Sequence, residues 1–331
     1  MSELRQDLVS GDWIIMAPER AGRPHNIGGK KTKRAASPKS SCPFENLQKS
    51  GNWPPISSYP NDKNWDVVLV RNKYPALIHD HICAADLHEG PYNLKSGVGV
   101  HDMVITRDHH KNFGEISLDR AMEVFQILQR RYRDLSRDKC LLYTSTFFNW
   151  GPSAGASVYH PHYQVLTLPI LPSDFKHSLI GLESYYKKYR KCVHCVMLRE
   201  EMKKKKRIVD QNKSALLLAP FVSRAAYEIR VFPKKHLSHF EHTPLKDLRD
   251  VAAMLQSGIR RVKKFLGDPD FNFFIHTAPL KHGQRYEYYH WHIEIIPKIS
   301  ILGGFELSTG VDINVVDPEK AAAIVRGKKN V

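Results

Sequence analysis

The sequence predicts an α+β fold built from two similar halves, each a mostly antiparallel sheet with flanking helices, related by a pseudo-two-fold axis. Three observations predict it. The same order of segments occurs twice along 331 residues. Each copy holds one long stretch with apolar residues at a 3.6-residue period, as an amphipathic helix requires. Each copy also closes on an alternating strand that carries His-x-His: His160-Pro161-His162 in the first and His290-Trp291-His292 in the second. The halves are expected to span residues 1–172 and 173–331.

In order, the first copy reads WDVVLVRNKYPAL, HDMVITRDHHKNF, SLDRAMEVFQILQRRYRDL, LLYTSTFFNWG and then SAGASVYHPHYQV. The second reads SALLLAPFVSRAAYEIRVFPKKHLSHF, TPLKDLRDVAAMLQSGIRRVKKFL, FNFFIHTAP and YEYYHWHIEIIPKI. Each is a strand, a strand ending near a histidine, a helix, a strand, and a strand with the paired histidines. In the first helix Leu118, Met122, Phe125 and Gln129 share a face behind Ser117, a residue type that caps N-termini. Thr243-Pro244 opens the second helix, with the proline suited to its first turn. The segment from Arg23 to Ser41 is rich in Gly, Pro, Ser and Lys and reads as a loop.

Composition narrows the function. A hydrophobic content of 42% is that of a globular protein. No run of about 18 apolar residues suggests a membrane span, and MSELRQDLVSGDW lacks an apolar signal core, so a cytoplasmic protein with no membrane partner is expected. Five cysteines without dense spacing argue against a disulfide framework and allow metal ligation. The formal net charge of +16 fits an anionic phosphorylated substrate or a nucleic acid. Much of it sits in KKTKR and KKKKR, runs that most often form solvated surface.

Cys192 and Cys195 have the spacing with which two thiolates grip one tetrahedral zinc. His236, near the end of a strand, and His290 would complete a Cys2His2 set. The corresponding places in the first half hold Cys42, Glu45, His109 and His160. One thiolate has become a carboxylate there, which zinc also accepts, so that place is either a second site or a weakened one. Four protein ligands leave no open position, and metal bound so would be structural. His276 reads as a core residue in preference to a further ligand, and His110 as a surface one.

With His160 committed to metal, His162 remains on the same side of its strand, since residues two apart share a face. A neutral imidazole whose other nitrogen is held by a hydrogen bond is a nucleophile toward phosphorus. Gly155 and Ala156 permit close backbone approach. Ser157 offers a hydroxyl and Gln164 an amide, and neither adds negative charge beside an anionic substrate. In the second copy the glutamine position holds Glu294, which would repel phosphate and favour a protonated His292. The second half therefore reads as a scaffold copy.

These residues resemble the galactose-1-phosphate uridylyltransferase family of the histidine-triad superfamily, which also contains plant-type ADP-glucose phosphorylases. The resemblance covers nearly the whole chain, through DLVSGDWIIMAPERAGRP, RNKYPAL, NWGPSAGASVYHPHYQ and GGFELSTGVDINVVDPEKAA. It implies two tandem histidine-triad-like repeats and a ping-pong nucleotidyl transfer. In that transfer His162 takes the nucleotide from a nucleoside diphosphate sugar, releases a sugar 1-phosphate, and passes the nucleotide to a second acceptor. It implies further that Ser157 and Gln164 contact the phosphates, and that Arg20, Arg23, Asn72 and Asn149 lie near the nucleotide. Glu306 would lie near the hexose, where Asp312 replaces a glutamine of the bacterial galactose enzymes. Zinc is the implied cofactor, and the family is commonly dimeric, so a homodimer is expected. The expected activity is UMP transfer from a UDP-hexose to a hexose 1-phosphate; ADP-sugar phosphorolysis with phosphate as acceptor is the alternative, and a non-catalytic nucleic-acid-binding protein the remote one.

Overall fold

The computed structural model describes residues 1–22, 34–79, 82–280 and 286–328. Strands β1 (Glu3–Gln6) and β2 (Trp13–Met16) come first, then the one-turn helix α1 (Leu47–Ser50). Next are β3 (Ser57–Tyr59), β4 (Val67–Arg71), the hairpin of β5 (Asp86–Glu89) and β6 (Tyr92–Lys95), and β7 (Val100–Thr106). Helix α2 (Leu118–Leu135), β8 (Tyr143–Trp150) and β9 (His162–Leu168) follow. Helices α3 (Ser173–Tyr189) and α4 (Val193–Lys204) lead into β10 (Ile208–Gln211), β11 (Ala215–Leu218) and β12 (Ile229–Pro233). Then come helix α5 (Leu245–Leu266), β13 (Phe271–His276) and β14 (His292–Pro297). Helix α6 (Gly304–Thr309), β15 (Ile313–Asn314) and helix α7 (Pro318–Val325) complete the order.

Ten of these strands form one sheet in the order β10-β11-β12-β14-β13-β8-β9-β7-β4-β3. The order is a palindrome of the two copies about the β13–β8 pair, which is antiparallel with Asn272 opposite Asn149. The repeat read in the sequence is thus a repeat in space, and its two copies share backbone hydrogen bonds.

Both long helices cover one face of this sheet. Val67, Leu69, Val104, Tyr163 and Val165 from the first copy join Ile229, Val231, Ile293 and Ile295 from the second in a single core beneath α2 and α5. Ser117 caps α2 by accepting a bond from the Arg120 N–H. Pro244 stands as the cap residue before α5 rather than within its first turn, and Gly267 ends that helix in the left-handed conformation. Two buried glutamines lock the copies reciprocally. Gln129 of α2 donates to the carbonyls of Phe240 and Thr243, just before α5. Gln256 of α5 donates to those of Phe113 and Ile116, just before α2. A buried amide without partners would cost a few kcal/mol, so these pairs fix how the helices meet.

Alternation along the strands then decides what the other face carries. Since Tyr163 and Val165 point to the helices, His162 and Gln164 point away, opposite Ile105 and Met103 of β7. Among the described residues no helix is long and apolar enough to cross a membrane. One sequence expectation fails: Cys83 and Cys140 form a disulfide, 57 residues apart. The loop after β4 folds back onto the turn after α2, where His79 also meets Asp138 at 3.0 Å.

Candidate active site and metal clusters

The Cys2His2 set assembles. The donor atoms of Cys192, Cys195, His236 and His290 all lie within 4.8 Å of one another. The Cys195 Sγ is 3.3 Å from His236 Nδ1 and 3.5 Å from His290 Nδ1. His290 donates its Nε2–H to the Pro233 carbonyl at 2.9 Å, which leaves the Nδ1 lone pair facing the sulfurs. Such an outer hydrogen bond is how proteins orient imidazole ligands. The Cys195 thiol beside it, followed by hydrogen bonds from His194, His236 and His290, holds Cys192 well below the ordinary thiol range against the effect of burial.

The first-half set assembles on the same plan. Cys42, His109 and His160 present donors within 4.8 Å of one another. His160 donates Nε2–H to the Thr106 carbonyl at 2.7 Å and turns Nδ1 to the Cys42 sulfur, 3.5 Å away. Glu45 occupies the fourth place: its Oε1 is 2.8 Å from His109 Nδ1 and 3.6 Å from His160 Nδ1. His109 Nε2 meets the Ser37 carbonyl at 2.8 Å. Burial pushes His160 down to about 4, so its ring is neutral and able to ligate. Both clusters have the donor chemistry of zinc, two thiolates with two imidazoles in one and a thiolate, a carboxylate and two imidazoles in the other.

His162 lies beside this second set but turns elsewhere. Its Nδ1–H donates to the His160 carbonyl at 3.0 Å, which fixes the tautomer and leaves the lone pair on Nε2. That Nε2 has no hydrogen-bond partner among the described residues. Burial lowers its proton affinity, opposed only by the His160 carbonyl, so the ring stays neutral. Gln164 follows on the same face, and Ser157 is exposed on the loop before β9. A cavity of about 380 Å³ borders this loop and includes Ser157, Cys42, His160, Trp150 and Arg34, but not the His162 ring itself.

The loop from Gly151 to Tyr159 is anchored from the other half. Asp270, just before β13, accepts the Ser153 N–H at 2.9 Å and an Arg34 N–H at 3.1 Å. Asn272 donates to Asn149 Oδ1 and to the Ala154 carbonyl, both at 2.8 Å. Asn149 thus stands at the base of the loop that carries Ser157. Asn72 stands beside Gln164, through His101. Arg20 is half-buried in a single 3-10 turn, Pro18–Gly22. Arg23 lies outside the described residues. Sequence reasoning missed Asp270 and His101, and nothing in their local sequence marks them.

Glu306 and Asp312 lie on the closing segment. Asp312 lies 3.9 Å from Arg224, which Asp12 also binds, and the Glu306 carboxylate accepts from the Gly303 N–H. Strand β15 pairs in parallel with β2 and so ties this segment to the N-terminal strands. One expectation is corrected: Glu294 does not favour a protonated His292. Burial pushes Glu294 up, but Arg230 at 3.1 Å and His276 at 3.5 Å outweigh it and hold the carboxyl at about 2. His292 is itself pushed well down by burial and then by His276. It is sandwiched between Phe232 and His276, with ring centroids at 4.6 and 4.7 Å. His276 is therefore part of this polar cluster rather than of the apolar core.

Comparison with known proteins returns the same architecture. A family described as a domain of unknown function (DUF4921) matches residues 70–328. The chain is 33% identical over 328 residues to the ADP-glucose phosphorylase of Arabidopsis thaliana, covering 98% of this chain and 92% of that protein. It is 27% identical over 335 residues to the galactose-1-phosphate uridylyltransferase of Thermotoga maritima, covering 98% of each. The crystal structure of the Arabidopsis ADP-glucose phosphorylase with bound ADP-glucose matches with a TM-score of 0.84 at 30% identity, over 100% of both chains.

Proposed function

The chain belongs to the galactose-1-phosphate uridylyltransferase family with its ADP-glucose phosphorylase-like members, and from that premise we propose that it is a nucleotidyltransferase working through His162. The observation that carries this is the His162 ring, neutral, with Nδ1–H donating to the His160 carbonyl and Nε2 left free on the face that Gln164 shares. The Nε2 lone pair attacks the α-phosphorus of a nucleoside diphosphate sugar. The bond from that phosphorus to the bridging oxygen breaks, and sugar 1-phosphate leaves with the electron pair. An oxygen of the acceptor phosphate then attacks the same phosphorus, the P–N bond breaks, and the neutral ring returns. Leaving and attacking groups are phosphates of low basicity, so no strong general acid is needed. Positioning and charge stabilisation by Ser157, Gln164 and Asn149 carry the acceleration.

We favour an ADP-sugar as donor and inorganic phosphate as acceptor, giving ADP. The Arabidopsis phosphorylase is the nearer of the two relatives in identity, and its structure holds ADP-glucose. UMP transfer from a UDP-hexose to a hexose 1-phosphate is the second reading, supported by the Thermotoga protein. We also propose that residues 1–172 form the reacting half and residues 173–331 the scaffold half. Zinc in the two clusters would fasten the loop of Cys42 and helix α4 to the sheet and take no part in the transfer.

The test is incubation with ADP-glucose or UDP-glucose labelled at the α-phosphate. An acid-labile adduct on the peptide holding His162 is expected, formed with one nucleotide in preference. Absence of an adduct with both, or an adduct that survives His162→Ala, defeats the reading.

A further inference from the structure

His101, at the start of β7, lies outside every role assigned so far, and its hydrogen bonds determine how Gln164 is turned. The Ala76 N–H donates to His101 Nδ1 at 3.0 Å, so Nδ1 carries the lone pair and Nε2 carries the proton. Two groups face that Nε2–H: Gln164 Oε1 at 3.0 Å and Asn72 Nδ2 at 3.1 Å. The Asn72 oxygen is already occupied by the Tyr74 N–H at 2.9 Å, so its remaining end is an NH2 group and cannot accept. Gln164 Oε1 is the acceptor left. An amide whose oxygen is fixed has its NH2 fixed as well, on the side away from His101, and Gln164 shares its face of β9 with His162.

We infer that His101 is a positioning residue: it holds the Gln164 carbonyl so that the Gln164 NH2, and never its oxygen, is presented to the phosphoryl group. An oxygen there would repel the phosphate oxygens, whereas an aimed N–H stabilises the charge that builds on them. The backbone N–H of Ala76, on the segment after β4, sets the tautomer, so that segment is joined to the reacting face by one ring. The inference rests on His162 as the nucleophile.

The test is single-turnover adduct formation with α-labelled ADP-glucose, and UDP-glucose in parallel, in His101→Leu, His101→Gln, Gln164→Ala and the His101→Leu/Gln164→Ala double variant. His101→Leu is expected to slow adduct formation about ten- to a hundredfold with nucleotide-sugar affinity almost unchanged. His101→Gln, whose amide nitrogen reaches where the imidazole Nε2 stood, regains most of the rate. In the Gln164→Ala background the leucine adds no further loss. Multiplying losses in the double variant, or a loss confined to binding, overturn the inference. Long-range proton–nitrogen NMR of the His101 ring reads the tautomer with no substrate present: an Nε2-protonated ring is expected, and an Nδ1-protonated ring overturns it. This reading stands even where a variant folds poorly. Failure of the unmodified protein to form any adduct would strike the His162 reading itself, and is seen before any variant is compared.

Discussion

Acidification should release metal from the two clusters with different steepness. At the Cys192 cluster, zinc displaces two protons. Cys192 is held as a thiolate, but its partner His236 is raised, first by Cys192, so the pair together still holds one proton in mildly acid solution. Cys195, beside that thiolate, holds the second. At the Cys42 cluster Glu45 stands where the other cluster has its second thiol, so the Cys42 thiol proton is the one to be displaced. Each displaced proton makes binding about 1.4 kcal/mol weaker per pH unit of acidification. On the acid side of the His236 titration the Cys192 cluster should therefore lose affinity about a hundredfold per pH unit and the Cys42 cluster about tenfold. Above the titration of His236 the slope of the Cys192 cluster falls toward one. The assay is zinc competition against a buffered chelator from pH 6 to 8, in Cys192→Ser/Cys195→Ser to isolate the first cluster and Cys42→Ser/His109→Asn to isolate the second. Equal slopes, or a slope near one throughout at the Cys192 cluster, would refute the assigned ligands.

Other outcomes follow from single residues. Gly151 has φ +87, and a Cβ there would lie 1.9 Å from the Asp270 carboxylate. Gly151→Ala should therefore destabilise by about 3 kcal/mol or more, from backbone strain and a displaced buried carboxylate; a denaturation midpoint like that of the unmodified protein would contradict the anchoring of the loop. Ser157→Ala should slow single-turnover adduct formation about tenfold or more while the adduct still forms on His162; complete loss of the adduct would mean that Ser157 does more than contact phosphate. Burial pushes Glu241 from 4.5 up to about 7, against Arg133. The folded state keeps this proton longer than the unfolded one, so stability should fall as pH rises from about 4.5 through about 7 and level off above. Glu241→Gln should then gain up to about 3 kcal/mol at pH 8 and almost nothing at pH 4.5. Parallel stability profiles would refute this.

The parts legible in the sequence were those written at short range. The helical period around Phe125, the strand alternation around Tyr163, and the paired histidines each lie within a few residues, and each has its place in the fold. The cysteine spacing at Cys192 and Cys195 is also local, and the match between copies identified His236 and His290 as partners. What escaped depends on distant pairing. The Cys83–Cys140 bond joins residues whose flanks show no sign of each other. The parallel pairing of Ile313 with Ile15 ties the segment of Glu306 and Asp312 to the N-terminal strands, and two residues of strand leave almost no pattern. Arg230 neutralises Glu294 from a neighbouring strand, so the sign of the charge at that place could not be judged from Glu294 alone.

Asp270 and Asn272 give the copy proposed as scaffold a duty of its own. Through them the strand next to the midline steadies the turn that presents Ser157 to its neighbour. A fragment reduced to the first copy would lose the brace that Asp270 and Asn272 give this turn, and its bared central edge would invite pairing with other chains. Each copy thus completes the other at the midline, and neither is free to be shed.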